Sequence, residues 1–193
     1  MKKRLTSVLF VLGILLVLVS ALLAGWSALS ENRAEKERET ILTQLRLLIP
    51  EPHNGGPDGR SDPTLPRLSL EGTDFVGIVE VPLFETALPV GASWGEDAVA
   101  KYPCRYWGNP YEKSLILGGS DGAGQFDFMK NITEGDSVFF TDVTGLRFSY
   151  TVSQIFLTGD VSFEALSAAE GDLILFARNT YSLDYTVVCC KLF

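Results

Sequence analysis

Apolar positions along the chain follow three successive patterns. Residues 5–25 form an uncharged apolar block directly preceded by Lys2, Lys3 and Arg4. A block of about 20 residues is long enough to cross a bilayer as a helix. The basic flank would keep the start of the chain in the cytoplasm and the rest outside. A cleaved signal is the competing reading. Its apolar core is usually about 7–15 residues and ends in small residues, and this block is longer. Both readings place the remainder outside. Residues 30–49 begin rich in Glu, Arg and Lys and end in Leu and Ile. Ile41, Leu45 and Leu48 stand at helical spacing beside Leu42 and Ile49, which predicts a helix whose apolar stripe packs on its own domain.

The third pattern begins near Asp74. Phe148, Tyr150 and Val152 alternate with Arg147, Ser149 and Thr151, as a half-buried strand requires. Asp142-Val-Thr-Gly145 separates this run from residues 137–141, which predicts a hairpin. Further strands are predicted at 75–83, 114–117, 173–177 and 185–190, and short helical turns at 96–101, 126–131 and 162–169. Many short strands with few helices predict a mainly β, closed or nearly closed barrel. Between the patterns, residues 50–66 hold Pro50, Pro52, Pro57, Pro63 and Pro66 with Gly55, Gly56 and Gly59. So few large apolar side chains predict a flexible linker. The expected organisation is a basic tip (1–4), a transmembrane anchor (5–29), a juxtamembrane helix (30–49), a linker (50–73) and a barrel domain (74–193).

Charge narrows the function classes. The formal net charge is −8, and it is more negative still once the basic tip is set aside. Nucleic-acid binding rests on phosphate neutralisation by Lys and Arg and is not expected. Asp121 and Asp127 lack the spacing of a calcium loop. The glycine-rich residues 118–124 lack the Lys-Ser/Thr of a phosphate loop. No metal and no cofactor is implied. Asn131-Ile-Thr133 is a glycosylation triplet by pattern only. Trp94 and Trp107 read equally as groove lining, core or rim.

Several segments together are more specific. Phe75-Val-Gly-Ile-Val-Glu-Val-Pro82, Ala87-Leu-Pro-Val90, Tyr102-Pro-Cys-Arg-Tyr-Trp-Gly108, Leu115-Ile-Leu-Gly-Gly119, Gly135-Asp-Ser-Val-Phe-Phe-Thr-Asp142 and Leu173-Ile-Leu-Phe176 occur in that order. Their order and spacing resemble a sortase domain. The Pro-Cys-Arg-Tyr segment is similar to a class-B-like sortase group of anaerobic Gram-positive bacteria. The resemblance implies an eight-stranded barrel that transfers the acyl group of a secreted sorting signal to an amine. A sortase does this with a nucleophilic Cys, a His acid and an Arg. A thiolate is the competent nucleophile, a leaving amine needs an acid, and the oxyanion needs a donor.

The same resemblance marks where this sequence departs from the family. Ser120 stands at the His position and Arg178 at the Cys position. Tyr185 stands at the Arg position, with Thr186 next to it if the register slips by one. Arg stays protonated and is no nucleophile. The single His, His53, lies in the expected linker. No catalytic residue is therefore expected, and Ser120, Arg178 and Tyr185 become candidate groove residues. Cys104 and Cys190 match positions where the resembling group often has Cys. They read as a disulfide or as two small buried side chains, and Cys189 is an extra.

The expected function is a membrane-anchored, outward-facing binding or accessory module without transpeptidase activity. Its expected partners are a sorting-signal protein, a pilin or an active sortase. The alternative is an active sortase with displaced catalytic residues; a gene product without a selected role is a third reading.

Overall fold

The structure is a computed structural model that describes residues 13–20, 34–54, 64–122, 124–179, 182 and 184–193. The chain divides into two units, Met1–Glu37 and Arg38–Phe193. In the first, residues 13–20 and 34–37 are helical. The basic tip and most of the expected anchor lie outside the described residues. Among the described residues no helix is long and apolar enough to cross a membrane.

The second unit opens with a helix over residues 38–48 (α1). Its strands are β1 (His53–Asn54), β2 (Leu68–Leu70), β3 (Thr73–Val81), β4 (Thr86–Gly91), β5 (Cys104–Trp107), β6 (Leu115–Ser120), β7 (Ser137–Asp142), β8 (Leu146–Thr158), β9 (Leu173–Arg178) and β10 (Tyr185–Leu192). Two short helices, α2 (Glu96–Val99) and α3 (Phe163–Ser167), join them.

Strand pairing closes a ring. The order β8-β10-β9-β6-β5-β4-β3 runs along the sheet, and β7 pairs with both β3 and β8. The closed barrel therefore has eight strands, with β1 and β2 added outside the ring. Most neighbours are antiparallel; β6 and β9 run parallel over six residue pairs. The barrel interior is filled by strand side chains such as Val76, Leu117, Phe140, Phe148, Tyr150 and Leu175. Their regular alternation with outward residues is the period-2 pattern of the sequence made physical.

The β7–β8 hairpin rests on Asp142, which is fully buried. One carboxylate oxygen accepts from the backbone of Thr144 (2.7 Å), the Thr144 hydroxyl (2.7 Å) and the backbone of Leu146 (3.0 Å). The Tyr111 hydroxyl donates to the other oxygen. Gly145 sits at φ 85°, where a side chain would be strained. A β-carbon there would also lie 2.9 Å from the Pro50 carbonyl oxygen.

The stripe of α1 packs on the barrel through Ile41, Leu45 and Ile49, against Phe75, Ile78 and Tyr102. The i, i+4, i+8 row is the buried one, and Leu48 is 56% exposed. Glu80 adds a polar tie, pairing with Arg46 of α1 (3.3 Å) and Arg147 of β8 (3.0 Å).

Two expectations are corrected here. The segment expected as linker contributes to the sheet: His53 pairs with Leu146, Leu68–Leu70 pairs with β3, and Leu65 is buried in the core. Residues 55–63 lie outside the described residues. The disulfide is also excluded, because Cys104, Cys189 and Cys190 are all free and buried. Cys104 lies on β5 and Cys190 on β10, with β6 and β9 between them. Three strand spacings are about 14 Å, beyond the roughly 7 Å that a disulfide can bridge between α-carbons.

Candidate functional site

The three candidate groove residues come from three adjacent strands and lie in one row. Ser120 at the end of β6 is the register partner of Arg178 at the end of β9. Arg178 is in turn the partner of Tyr185 at the start of β10. In this register Tyr185 stands opposite Arg178, and Thr186 stands opposite Ala177. Side chains two residues apart share a face. Ser120 and Arg178 therefore share the outer face with Ile116, Ile174 and Phe176, which are part of an apolar cluster separate from the barrel core.

All three residues line one cavity of about 650 Å³, together with Trp94, Glu96, Val99, Ala100, Gly119, Asp121, Phe176, Asn179 and Ser182. That volume lies within the usual range of ligand sites, about 300–1,000 Å³. The floor is aromatic. Trp94 lies 5.4 Å from Tyr106 and 5.4 Å from Phe176, centroid to centroid, and Tyr185 lies 6.3 Å from Phe176.

Gly118 makes this floor possible. It is the register partner of Phe176, and a β-carbon there would meet Trp94 at 2.2 Å and Phe176 at 2.5 Å. A glycine inside an apolar strand is a sequence signal for such a close approach. Trp94 thus lines the cavity and remains 43% exposed, whereas Trp107 sits elsewhere, against Phe163.

Gln125 braces the walls. Its Oε1 accepts from the Ser120 backbone N–H (3.1 Å), and its Nε2 donates to the carbonyls of Val99 (3.2 Å) and Ala100 (3.3 Å). It is buried, and the sequence alone gave no reason to single it out.

The chemistry available at the row is hydrogen-bond donation. Ser120 Oγ accepts from the Gly122 N–H at 3.1 Å. Among the described residues, no basic side chain is hydrogen-bonded to that hydroxyl. Lys130 Nζ instead donates to the Asp121 carbonyl at 3.0 Å. Arg178 is exposed at the rim, and no described residue forms an ion pair with it.

Among the described residues, no thiol or imidazole lines the cavity. Cys104 is buried beside Gly91, its Sγ 3.3 Å from the Tyr102 carbonyl oxygen, and desolvation pushes its pKa up to about 11. Burial also raises Cys189 and Cys190. His53 is exposed on β1 beside β8. Among the described residues, no group of three or more His, Cys, Asp or Glu side chains could hold a metal ion.

A closed eight-stranded barrel with a groove over the ends of two parallel strands defines the class of fold. Solved structures that share it are sortases. Streptococcus agalactiae sortase C1 in complex with MTSET is 20% identical over 62% of this chain and 69% of that one, with a TM-score of 0.54. A lid mutant of Corynebacterium diphtheriae sortase A is 15% identical over 70% and 73%, with a TM-score of 0.55. The Clostridium perfringens sortase D5 transpeptidase is 15% identical over 62% and 79%, with a TM-score of 0.53. No family model and no curated protein matches the chain. The likeness is therefore one of fold: this is a sortase-like barrel.

Proposed function

We propose that this barrel is a binding module that has kept a sortase-type groove and lost transpeptidase chemistry. The observation that carries the reading is the Ser120–Arg178–Tyr185 row in a cavity whose described lining holds no thiol and no imidazole. Acyl transfer through a thioester needs a thiolate beside a proton donor. Here a permanently protonated guanidinium holds the first position and a hydroxyl holds the second. In this reading the ancestor was an active, class-B-like sortase, and its His, Cys and Arg are now Ser120, Arg178 and Tyr185. The ligand is a peptide segment of a sorting-signal protein, a pilin or an active sortase. The apolar block near the start of the chain anchors the barrel on the outer side of the membrane.

The test compares the full chain with a variant carrying Ser120→His, Arg178→Cys and Tyr185→Arg. Each is incubated with sorting-signal peptides and an amine acceptor. Products are read by mass spectrometry and peptide binding by tryptophan fluorescence. The expected result is binding without product by the natural chain, and product from the variant. Cleaved or joined peptide from the natural chain would show active chemistry by displaced residues. Absence of peptide binding by the natural chain would overturn the module reading.

A further inference from the structure

We infer that the groove recognises the free C-terminal carboxylate of a peptide, with Arg178 as the carboxylate anchor. This rests on the binding-module reading and names its ligand chemistry.

The row presents three hydrogen-bond donors side by side. Ser120 uses its oxygen as an acceptor for the Gly122 N–H, which leaves its O–H free to donate. The Arg178 guanidinium and the Tyr185 hydroxyl make no hydrogen bond or ion pair with any described residue. A guanidinium is a planar fork that matches the two oxygens of a carboxylate. Neighbouring hydroxyls can complete the acceptor sites that a carboxylate offers.

Charge at the lining selects the ligand further. The one cationic side chain of the described lining is Arg178, and Glu96 and Asp121 are its acidic members. Arg178 therefore offers one charge-assisted anchor, and the lining has no second cation among its described residues to hold a more highly charged group. A phosphate carries nearly two negative charges at neutral pH, more than the single guanidinium can match. The aromatic floor below the row, Phe176 with Trp94 and backed by Tyr106, suits an apolar side chain on the last residue of the peptide. A pocket that pairs an apolar floor with a few fixed polar groups is the usual design of a ligand site.

The experiment uses the full chain and two pools of N-acetylated random pentapeptides. One pool carries free C-terminal carboxylates; the other has the same sequences amidated. Retention is read by affinity selection and mass spectrometry, for the natural chain and for Arg178→Gln. Arg178 is exposed at a strand end, so the variant is expected to fold, and its melting temperature verifies this.

The expected result is retention of the acid pool about tenfold or more above the amide pool, as a charge-assisted pair predicts. Arg178→Gln should erase that preference. Enrichment of the acid pool should favour an apolar last residue. Equal retention of both pools would overturn this inference and leave the binding-module reading standing. Retention of neither would overturn both. An acid preference that survives Arg178→Gln would remove Arg178 as the anchor. A preference carried by internal Asp or Glu in the amidated pool would overturn the terminal assignment.

Discussion

The side-chain amide of Gln125 accepts the backbone N–H of Ser120 at 3.1 Å and donates to the carbonyls of Val99 and Ala100 across the cavity wall. One buried side chain thus ties the strand that ends in Ser120 to the C-terminal end of α2. Replacing it by Leu removes three hydrogen bonds to partly exposed backbone groups, each worth about 0.5–1.5 kcal/mol. Gln125→Leu should lower the melting temperature by roughly 5–10 °C in a domain of this size. It should also weaken peptide binding. Gln125→Glu keeps an acceptor for Ser120 but loses the donor, so it should recover only part of both. Unchanged melting and binding in Gln125→Leu would show that the wall does not depend on this amide.

Gly118 gives a second test of the groove, because its missing β-carbon is the space that Trp94 occupies. Gly118→Ala should push the indole off Phe176 and toward water. In a background where Trp94 is the only tryptophan (Trp26→Phe, Trp107→Phe), its emission should shift to the red. Overpacking of this kind costs about 1–3 kcal/mol, which an equilibrium denaturation would read. An unshifted emission would mean that the indole does not lean on this glycine.

Local sequence carried part of this picture. The alternation at 146–152 and the turn at Asp142–Gly145 are local signals, and the β7–β8 hairpin follows them. The apolar runs at 115–117 and 173–176 became the central parallel pair. Strand β4 was hidden by Pro89, because proline is depleted inside sheets. It is tolerated since β4 is paired along its length only with β3 and meets β5 at Gly91 alone. Strands β1 and β2 were hidden by the Pro/Gly composition around them, which says nothing of pairing to distant strands. Ser120, Arg178 and Tyr185 were named as candidates from the resemblance, and the register sets them side by side. The stacking of Trp94 on Phe176 and the Gln125 brace join residues far apart in sequence, so no local pattern encodes them. For Cys104 and Cys190 the sequence left a disulfide and two buried side chains open, and strand order, which no local pattern encodes, leaves them as two buried free thiols.

Leu45 and Leu48 separate the two faces of α1. Leu45 is fully buried against the barrel, whereas Leu48 is exposed. Leu45→Ala should cost about 2–5 kcal/mol through lost burial and a residual cavity. Leu48→Ala should change stability by less than about 0.5 kcal/mol. Urea denaturation of the two variants decides it, since equal small effects would show that the helix does not pack on the barrel.

The thiols link stability to pH in a direction that can be worked out. Burial raises Cys104 from 9.0 to about 11, so the folded chain holds that proton when the unfolded chain has released it. The unfolded state then binds fewer protons, and stability falls as pH rises. The contribution is fully present below about pH 9 and is lost progressively between 9 and about 11. Cys189 and Cys190 are shifted in the same direction, chiefly by burial. Tyr150 follows for the same leading reason, with the charges of Asp172 and Cys190 adding to it. Cys104→Ala should therefore make the alkaline fall in stability shallower without abolishing it, as denaturation at a series of pH values would show. A thiol reagent at pH 8 should label none of the three cysteines quickly in the folded chain and all three after denaturation, because a buried neutral thiol is a poor nucleophile. Rapid labelling of one thiol in the folded chain would contradict its burial. It would also restore that cysteine as a candidate nucleophile. Slow labelling of all three would leave the Arg178 position without a replacement thiol.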